Sequence, residues 1–373
     1  MIAHVCKAVQ IVDAFLSYGV HTCAAAKGFP GMSVSIKDIA KAAGVSHSTV
    51  SRALADSSLV SAETKARIQA LARDMGYSPD AQARSLVVGR TQTIGVVVTT
   101  IADPFIAEVV QAVESTAHEH GYTVILASSM SEPEREVAAV EMLHSKRVDG
   151  VIVTSSRVGA LYHAYLERLA VPIVLLNSHS EQTGRYTFSI AIDDRHGAHL
   201  ATQHLTEQGH RRIAYVTGPA NHSDDLQRRA GYRDALSAAG LGFDPDLVIA
   251  GTGRADGGEL CLPLLLSLDQ PPTAVFCYND MTAIGLLRAA RMAGKRVPDD
   301  LAVVGFDDIP FASYIRPPLT TIAQPKRQMG QQAMEMVLAL MDDGGGRRED
   351  VANVVVRGAL VVRESSVGGT AGL

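Results

Sequence analysis

The stretch Ser35-Ile36-Lys37-Asp38-Ile39-Ala40-Lys41-Ala42-Ala43-Gly44-Val45-Ser46-His47-Ser48-Thr49-Val50-Ser51-Arg52-Ala53-Leu54 decides how the rest of the 373-residue chain is read. Ile36, Ile39, Ala40 and Ala43 fall at i, i+3, i+4 and i+7, the spacing of one buried helical stripe, and Gly44 can take the positive φ that closes a helix. Ser46 stands where an N-cap is needed. Its hydroxyl can accept a backbone N–H of a second helix whose apolar side is Val50, Ala53 and Leu54. Two short helices around a glycine turn make a helix-turn-helix, and the far side of the second carries His47, Ser48, Ser51 and Arg52. Their hydrogen-bonding groups suit base edges in a major groove. A helical hairpin alone is equally compatible with plain packing, so the neighbouring sequence has to decide.

Outward from that stretch, Ile68, Leu71, Ala72 and Met75 predict a third helix over 62–75, with Ser61 as N-cap and Gly76 just past its end. Ser78-Pro79-Asp80 then supplies a cap, a proline suited to the first helical position and an acid at the positive end of the dipole. Only about two turns follow before Leu86, and isolated helices below ~12 residues rarely persist, so this helix is expected to order only when held. Residues 33–93 contain eight Lys/Arg against five Asp/Glu, although the whole chain carries a net charge of −5. A modestly basic head on an acidic body attracts phosphates at one end and repels them at the other.

A composition of 47% hydrophobic and 20% charged residues is that of a globular protein with room for two or three domains. Cys6, Cys23, Cys261 and Cys277 have no C-x-x-C spacing, which argues against a disulfide framework or a zinc site and for reduced thiols in the cytoplasm. No run of 18 apolar residues exists to span a membrane. Residues 1–32 are expected to form a leader of uncertain structure. Asp13 interrupts its apolar run and no clear basic region precedes it, so an export signal is not expected.

From Ile94 the pattern changes. Strand-length apolar runs at Ile94–Thr99, Tyr122–Ala127, Val151–Thr154, Ile173–Leu176, Ile213–Thr217, Leu247–Ala250, Ala274–Cys277 and Leu301–Gly305 alternate with helical stretches such as 104–120, 133–146, 196–208, 228–239 and 281–293. Near-continuous Val/Ile/Leu strands alternating with helices predict parallel sheets covered on both faces. Eight strands over this length suit two doubly wound lobes better than one. The expected organisation is a small all-α helix-turn-helix head over 33–78, a hinge helix and linker over 79–93, and an α/β body over 94–373. The segments around Ala191-Ile192-Asp193 and Leu319-Thr320-Thr321-Ile322 read as crossings between lobes.

The wording of the head, Ile36-Lys37-Asp38-Ile39-Ala40, Ala43-Gly44-Val45-Ser46 and Thr49-Val50-Ser51-Arg52, closely resembles the DNA-reading start of the LacI/GalR family of bacterial repressors. So do Val60-Ser61-Ala62-Glu63-Thr64, Tyr77-Ser78-Pro79 and Ala83-Arg84-Ser85-Leu86. Asp103-Pro104-Phe105, Arg147-Val148-Asp149-Gly150, Gly209-His210-Arg211-Arg212-Ile213, Arg228-Arg229-Ala230-Gly231-Tyr232, Asn279-Asp280 and Val304-Gly305-Phe306-Asp307-Asp308 resemble its ligand-binding core, which is related to periplasmic sugar-binding proteins. The resemblance covers roughly residues 33–365. It implies a homodimer on pseudo-palindromic, double-stranded operator DNA, with a DNA-binding set of Ser35, Lys37, Ser46, His47, Ser48, Thr49, Ser51, Arg52, Ala83 and Leu86. In such repressors the paired hinge helices enter the minor groove and the residue matching Leu86 wedges a base step open.

In open parallel sheets a ligand sits outside the carboxyl ends of the strands, so the polar residues there are the candidates for an effector site. Ser128, Ser155, Asn177, Asn279 and Asp307 follow strands, and side chains of these types suit a sugar or sugar-like effector. The resemblance implies Arg228, Asn279 and Asp307 as contacts, with Phe105 as an apolar wall. Asn177 stands where many members carry Asp, and the loop Arg254–Gly257 lacks the aromatic residue of the purine-responsive branch. Enzyme readings fare worse. Gly251-Thr252-Gly253-Arg254-Ala255-Asp256 nearly spells a dinucleotide fingerprint, but Asp256 would repel pyrophosphate. His118-Glu119-His120 lacks the i, i+4 histidine pair of a zinc helix. No catalytic residue, metal or cofactor is expected, and the attached DNA reader speaks against an exported sugar-binding protein. The expected function is a ligand-controlled repressor of sugar or related catabolic genes.

Overall fold

A computed structural model describes residues 34–77, 89–156, 171–177, 187–220, 222–342 and 354–367. The leader over 1–32 and the hinge positions Ala83 and Leu86 lie outside the described residues. The chain divides into two compact units, residues 1–84 and 85–373.

The first unit contains α1 (Ile36–Ala43), α2 (His47–Leu54) and α3 (Ala62–Asp74). Each helix starts on a serine. Ser35 accepts the Asp38 N–H while its own N–H donates to Asp38 Oδ2 at 2.9 Å, a reciprocal capping box. Ser46 accepts the Thr49 N–H at 3.2 Å and Ser61 the Thr64 N–H at 3.3 Å. Gly44 ends α1 at φ +67°, which turns the chain sharply enough for α2 to fold back. Ile39, Val50, Ala53 and Ile68 are fully buried where the three helices meet, with Ala40 and Ala72 filling in. The apolar stripes legible in the sequence are the core.

The second unit has two lobes. In the first, β1 (Thr93–Val98), β2 (Thr123–Ser128), β3 (Gly150–Thr154), β4 (Ile173–Leu176) and β5 (Thr187–Ile192) join β11 (Val354–Val356) in a parallel sheet of order β11-β5-β4-β3-β1-β2. Helices α4 (Pro104–Glu119), α5 (Pro133–Ser145) and α10 (Lys326–Asp342) cover it. In the second lobe, β6 (Ile213–Val216), β7 (Val248–Ile249), β8 (Ala274–Cys277) and β9 (Ala302–Val304) form a parallel sheet of order β7-β6-β8-β9. It carries α6 (Asp194–Glu207), α7 (Ser223–Ala238), α8 (Ala255–Leu266) and α9 (Asp280–Met292). The chain crosses between lobes after β5, after β10 (Thr321–Ala323) and between β11 and β12 (Ala359–Val361). β10 and β12 pair antiparallel, and Arg357 Nε lies 3.1 Å from Asp193 Oδ2, so the crossings are tied to one another.

Two differences from the expectation have physical causes. Residues 90–92, read as linker, belong to the body: the Thr91 and Gln92 N–H groups donate to the two carboxylate oxygens of Asp149 at 2.9 and 2.7 Å, and Arg90 donates to the Met341 carbonyl. Helices α8 and α10 were not anticipated. α8 begins inside the glycine-rich run that mimics a dinucleotide loop and contains Pro263, while α10 mixes glutamines with methionines and carries few of the Val/Ile/Leu residues used to recognise the other elements.

Helices α8 and α9 cross at two glycines. A Cβ on Gly258 would lie 2.1 Å from the Thr282 carbonyl oxygen, and one on Gly285 would lie 1.8 Å from that of Ala255. Alanine would favour the helix by about 1 kcal/mol on propensity, but forcing the backbones apart typically costs about 1–3 kcal/mol and is the larger effect. Gly285→Ala is therefore expected to lower stability, read as a lower midpoint in chemical denaturation; an unchanged midpoint would contradict the close approach.

Candidate functional site

The exposed side of α2 presents the polar residues expected there. His47, Ser48, Ser51 and Arg52 are exposed while Val50 and Ala53 point inward, as the i, i+3 spacing demands. The side chains of Lys37, His47, Ser51 and Arg52 make no hydrogen bond or ion pair with any described residue, which leaves them available to an outside partner. Ser35 and Ser46 are exposed but occupied as caps. Thr49 is half-buried and its hydroxyl pairs with Ser46 Oγ at 2.8 Å. Lys65 is held elsewhere, 2.8 Å from Asp56 Oδ1.

In the second unit the carboxyl ends of the two sheets face a cleft of about 600 Å³. Phe105, Ser155 and Asn177 line it from the first lobe, and Arg228, Asn279 and Asp307 from the second. Ser128 does not reach it. Its Oγ donates back to the Thr99 carbonyl at 3.3 Å, and the chain continues two residues further to place Met130 and Ser131 on the wall instead. Met130, Ser131, Ser155, Asn177 and Asp307 all have positive φ, five of the nine such non-glycine residues described. Backbone held in this costly region concentrates at ligand sites.

Arg228 is the most constrained of the set. It is 3% exposed, donates from Nε to Asp194 Oδ1 at 2.8 Å and from Nη1 to the Tyr278 carbonyl at 2.6 Å. The guanidinium lies 3.8 Å from the Phe306 ring centroid and 4.6 Å from that of Tyr278. Burial works against its charge, but Asp194, Tyr278 and Asp224 outweigh it and hold the pKa above the ordinary arginine value. Asn279 is first of all the N-cap of α9: Oδ1 accepts the Thr282 N–H at 2.9 Å and Nδ2 donates to the Gly253 carbonyl at 2.9 Å.

Burial pushes the Asp307 carboxyl well above the usual range, with Arg228 opposing and Asp280 and Asp103 reinforcing. Gln324 Nε2 donates to Asp307 Oδ1 at 2.6 Å. Behind it, fully buried Asp280 is raised to about 7, chiefly by desolvation, although Thr321 and the Ile309 N–H both donate to it. Asp224 goes the other way: burial raises it, but the hydrogen bond from His222 and the charge of Arg228 bring it below the ordinary carboxylate value. Tyr278 also donates to Asp224 Oδ2 at 2.6 Å. Asn177 Oδ1, Gln324 Oε1 and His222 Nε2 are buried without a hydrogen-bond partner among the described residues. The cleft thus combines unsatisfied polar atoms, a fixed cation and the Phe105 wall.

Sequence reasoning missed His222, Asp224 and Gln324. Asp224 opens α7 after a loop, and Gln324 follows β10, a crossing strand outside the two parallel sheets to which the strand-end rule was applied, so the rule does not find them. Thr252–Asp256 also line the cleft without an aromatic side chain. His118 and His120 are exposed at the end of α4. No helix among the described residues is long and apolar enough to cross a membrane.

Residues 35–80 match the model of bacterial regulatory proteins of the lacI family, and residues 202–366 that of a periplasmic binding protein-like domain. The chain is 35% identical over 328 residues to the HTH-type transcriptional repressor CytR of Escherichia coli, covering 87% of this chain and 96% of that protein. It is 37% identical over 336 residues to the repressor PurR of Photorhabdus laumondii, covering 90% and 97%. The lac repressor dimer bound to operator and the anti-inducer ONPF superposes with a TM-score of 0.81 at 30% identity, covering 90% of this chain and all of that one. With this likeness over nearly the full length of its relatives, the chain belongs to the LacI family of bacterial transcriptional regulators and is a ligand-controlled, DNA-binding repressor.

Proposed function

We propose that the cleft takes a small polyhydroxylated effector, a sugar or nucleoside-like molecule, and that the repressor governs sugar or related catabolic genes in the cytoplasm without catalysing a reaction. The observation that carries this reading is the pairing of orphaned acceptors, Asn177 Oδ1 and Gln324 Oε1, with the fixed Arg228 guanidinium in one cleft. A hydroxyl both donates and accepts, so a polyol can satisfy all three groups at once. Contacts from both lobes let binding re-angle them. In a homodimer such a change reaches the paired heads that read a pseudo-palindrome, with Ala83 and Leu86 at the hinge. On α2, Arg52 and His47 are the base-reading candidates, while Lys37 and the helix starts capped by Ser35 and Ser46 suit phosphates.

Arg52→Ala is expected to lose about 1–3 kcal/mol of operator affinity and to relax specificity at one position in each half-site, measured by titration against operator variants. An equal loss on every sequence would make Arg52 a phosphate contact. For the cleft, a thermal-shift panel of pentoses, hexoses, disaccharides and nucleosides is expected to yield a ligand, which at 100 times its Kd adds about 2.7 kcal/mol. Asn177→Ala is expected to weaken that ligand by about 1–3 kcal/mol while leaving operator affinity without ligand at the parental value. Parental ligand affinity in Asn177→Ala, or no ligand in the panel, counts against the polyol reading.

A further inference from the structure

A buried lysine joins the lobes beneath the cleft. Lys326 opens α10, which packs on α4 of the first lobe, and the residue is only 8% exposed. Its ammonium donates to the backbone carbonyl of Asp307 at 3.0 Å and to that of Asp308, both in the turn that follows β9 of the second lobe. The same ammonium lies 3.2 Å from Glu108 Oε1 on α4, one turn beyond the cleft residue Phe105. That last contact is an ion pair without hydrogen-bond alignment, since Oε1 is buried yet accepts no hydrogen bond from a described residue.

The turn that Lys326 grips does not hold itself. Asp307 and Asp308 are consecutive non-glycine residues at φ +118° and +52°, conformations that L-residues keep only when their surroundings impose them. The surroundings here are the crossing from β10 to α10. The Asp307 N–H donates to the Ile322 carbonyl at 2.8 Å, Gln324 Nε2 donates to its carboxyl, and Lys326 binds its carbonyl. Every polar group of Asp307 except one carboxyl oxygen is therefore set by three residues of one crossing, Ile322, Gln324 and Lys326. Arg363 holds the Asp308 side chain from the other direction, donating to Oδ1 at 2.7 Å.

We propose that Lys326 is a positioning residue that aims Asp307 into the cleft and, with Glu108, ties the second lobe's β9 turn to the first lobe's α4. Its importance for effector sensing rests on the reading of the cleft as the effector site; the mechanical tie does not. A compact ammonium with three donors suits two carbonyls and a carboxylate at once, and a buried cation is held only where such partners surround it. Because the carbonyls belong to one lobe and the carboxylate to the other, any change in the angle between lobes changes this cluster.

Hydrogen exchange of the full chain, followed by mass spectrometry without added ligand, tests the tie. Lys326→Met is expected to speed exchange about tenfold in peptides covering 305–309 and also 105–109, with β8 at the parental rate, because local opening is read segment by segment. Lys326→Arg, which keeps the charge and the donors, is expected to restore most of the protection and guards against a variant that simply fails to fold. Glu108→Gln should speed both segments less, and Glu108→Gln combined with Lys326→Met should match Lys326→Met alone, since the carboxylate acts through the lysine. Faster exchange confined to 305–309, an equal rise in β8, additive effects in the double variant, or no recovery with arginine would each overturn the proposal. Failure of the ligand panel, by contrast, would remove the effector reading and leave this result standing.

Discussion

The buried guanidinium of Arg228 is the interaction on which the cleft depends. It links α7, α6 and the end of β8, and it rests on the Phe306 ring next to Asp307. Charge at 3% exposure is tolerable only because Asp194 neutralises it and a carbonyl takes a second N–H. Removing one partner of such a pair typically costs about 3–5 kcal/mol, since the other charge is left buried alone. Arg228 therefore sets the shape of the second lobe's wall before it meets any ligand, and truncating it would confound a loss of binding with a loss of fold. The less constrained Asn177, half-buried with an oxygen that has no hydrogen-bond partner among the described residues, reports on ligand contact more cleanly.

The head was legible almost residue by residue. Its three helices follow from apolar spacing, three serine caps and Gly44, all of which act within a few residues of one another. The eight strands expected in the body are also present, most of them because a strand buried on both faces leaves an unbroken Val/Ile/Leu run, although β2 and β7 at the sheet edges are only partly buried. What escaped depends on distant contacts. β11 and β12 are three residues each and exist through pairing with β5 and β10, and α10 is stabilised by packing on α4 rather than by its own pattern. Strand-end reasoning proposed five residues, four of which line one cleft, and the family resemblance added Arg228 and Phe105, which line it too. It could not foresee that Ser128 bonds backwards or that Gln324 arrives from a crossing.

Acidic groups make the floor of the cleft unlike its walls. Burial raises both Asp307 and Asp280, with Asp280 adding to the rise of Asp307 and Asp308 to that of Asp280, while Asp224 is drawn down by His222 and Arg228. One cleft thus contains carboxyls pushed in opposite directions by their neighbours.

The positions that line the cleft differ sharply in how freely they can diverge. Ser155 and Asn177 follow strand ends, and Thr252–Arg254 form the loop that leads into α8, where each lines the cleft. Asp307, by contrast, is bound by its own crossing at every backbone group, and away from the cleft Gly258 and Gly285, where α8 and α9 cross within the second lobe, admit no added carbon. Descendants of such a chain can acquire new ligands by drift in the loops while the α8–α9 crossing and the joint between lobes stay unaltered. Chemical novelty and mechanical inheritance are thereby encoded in separate sets of residues.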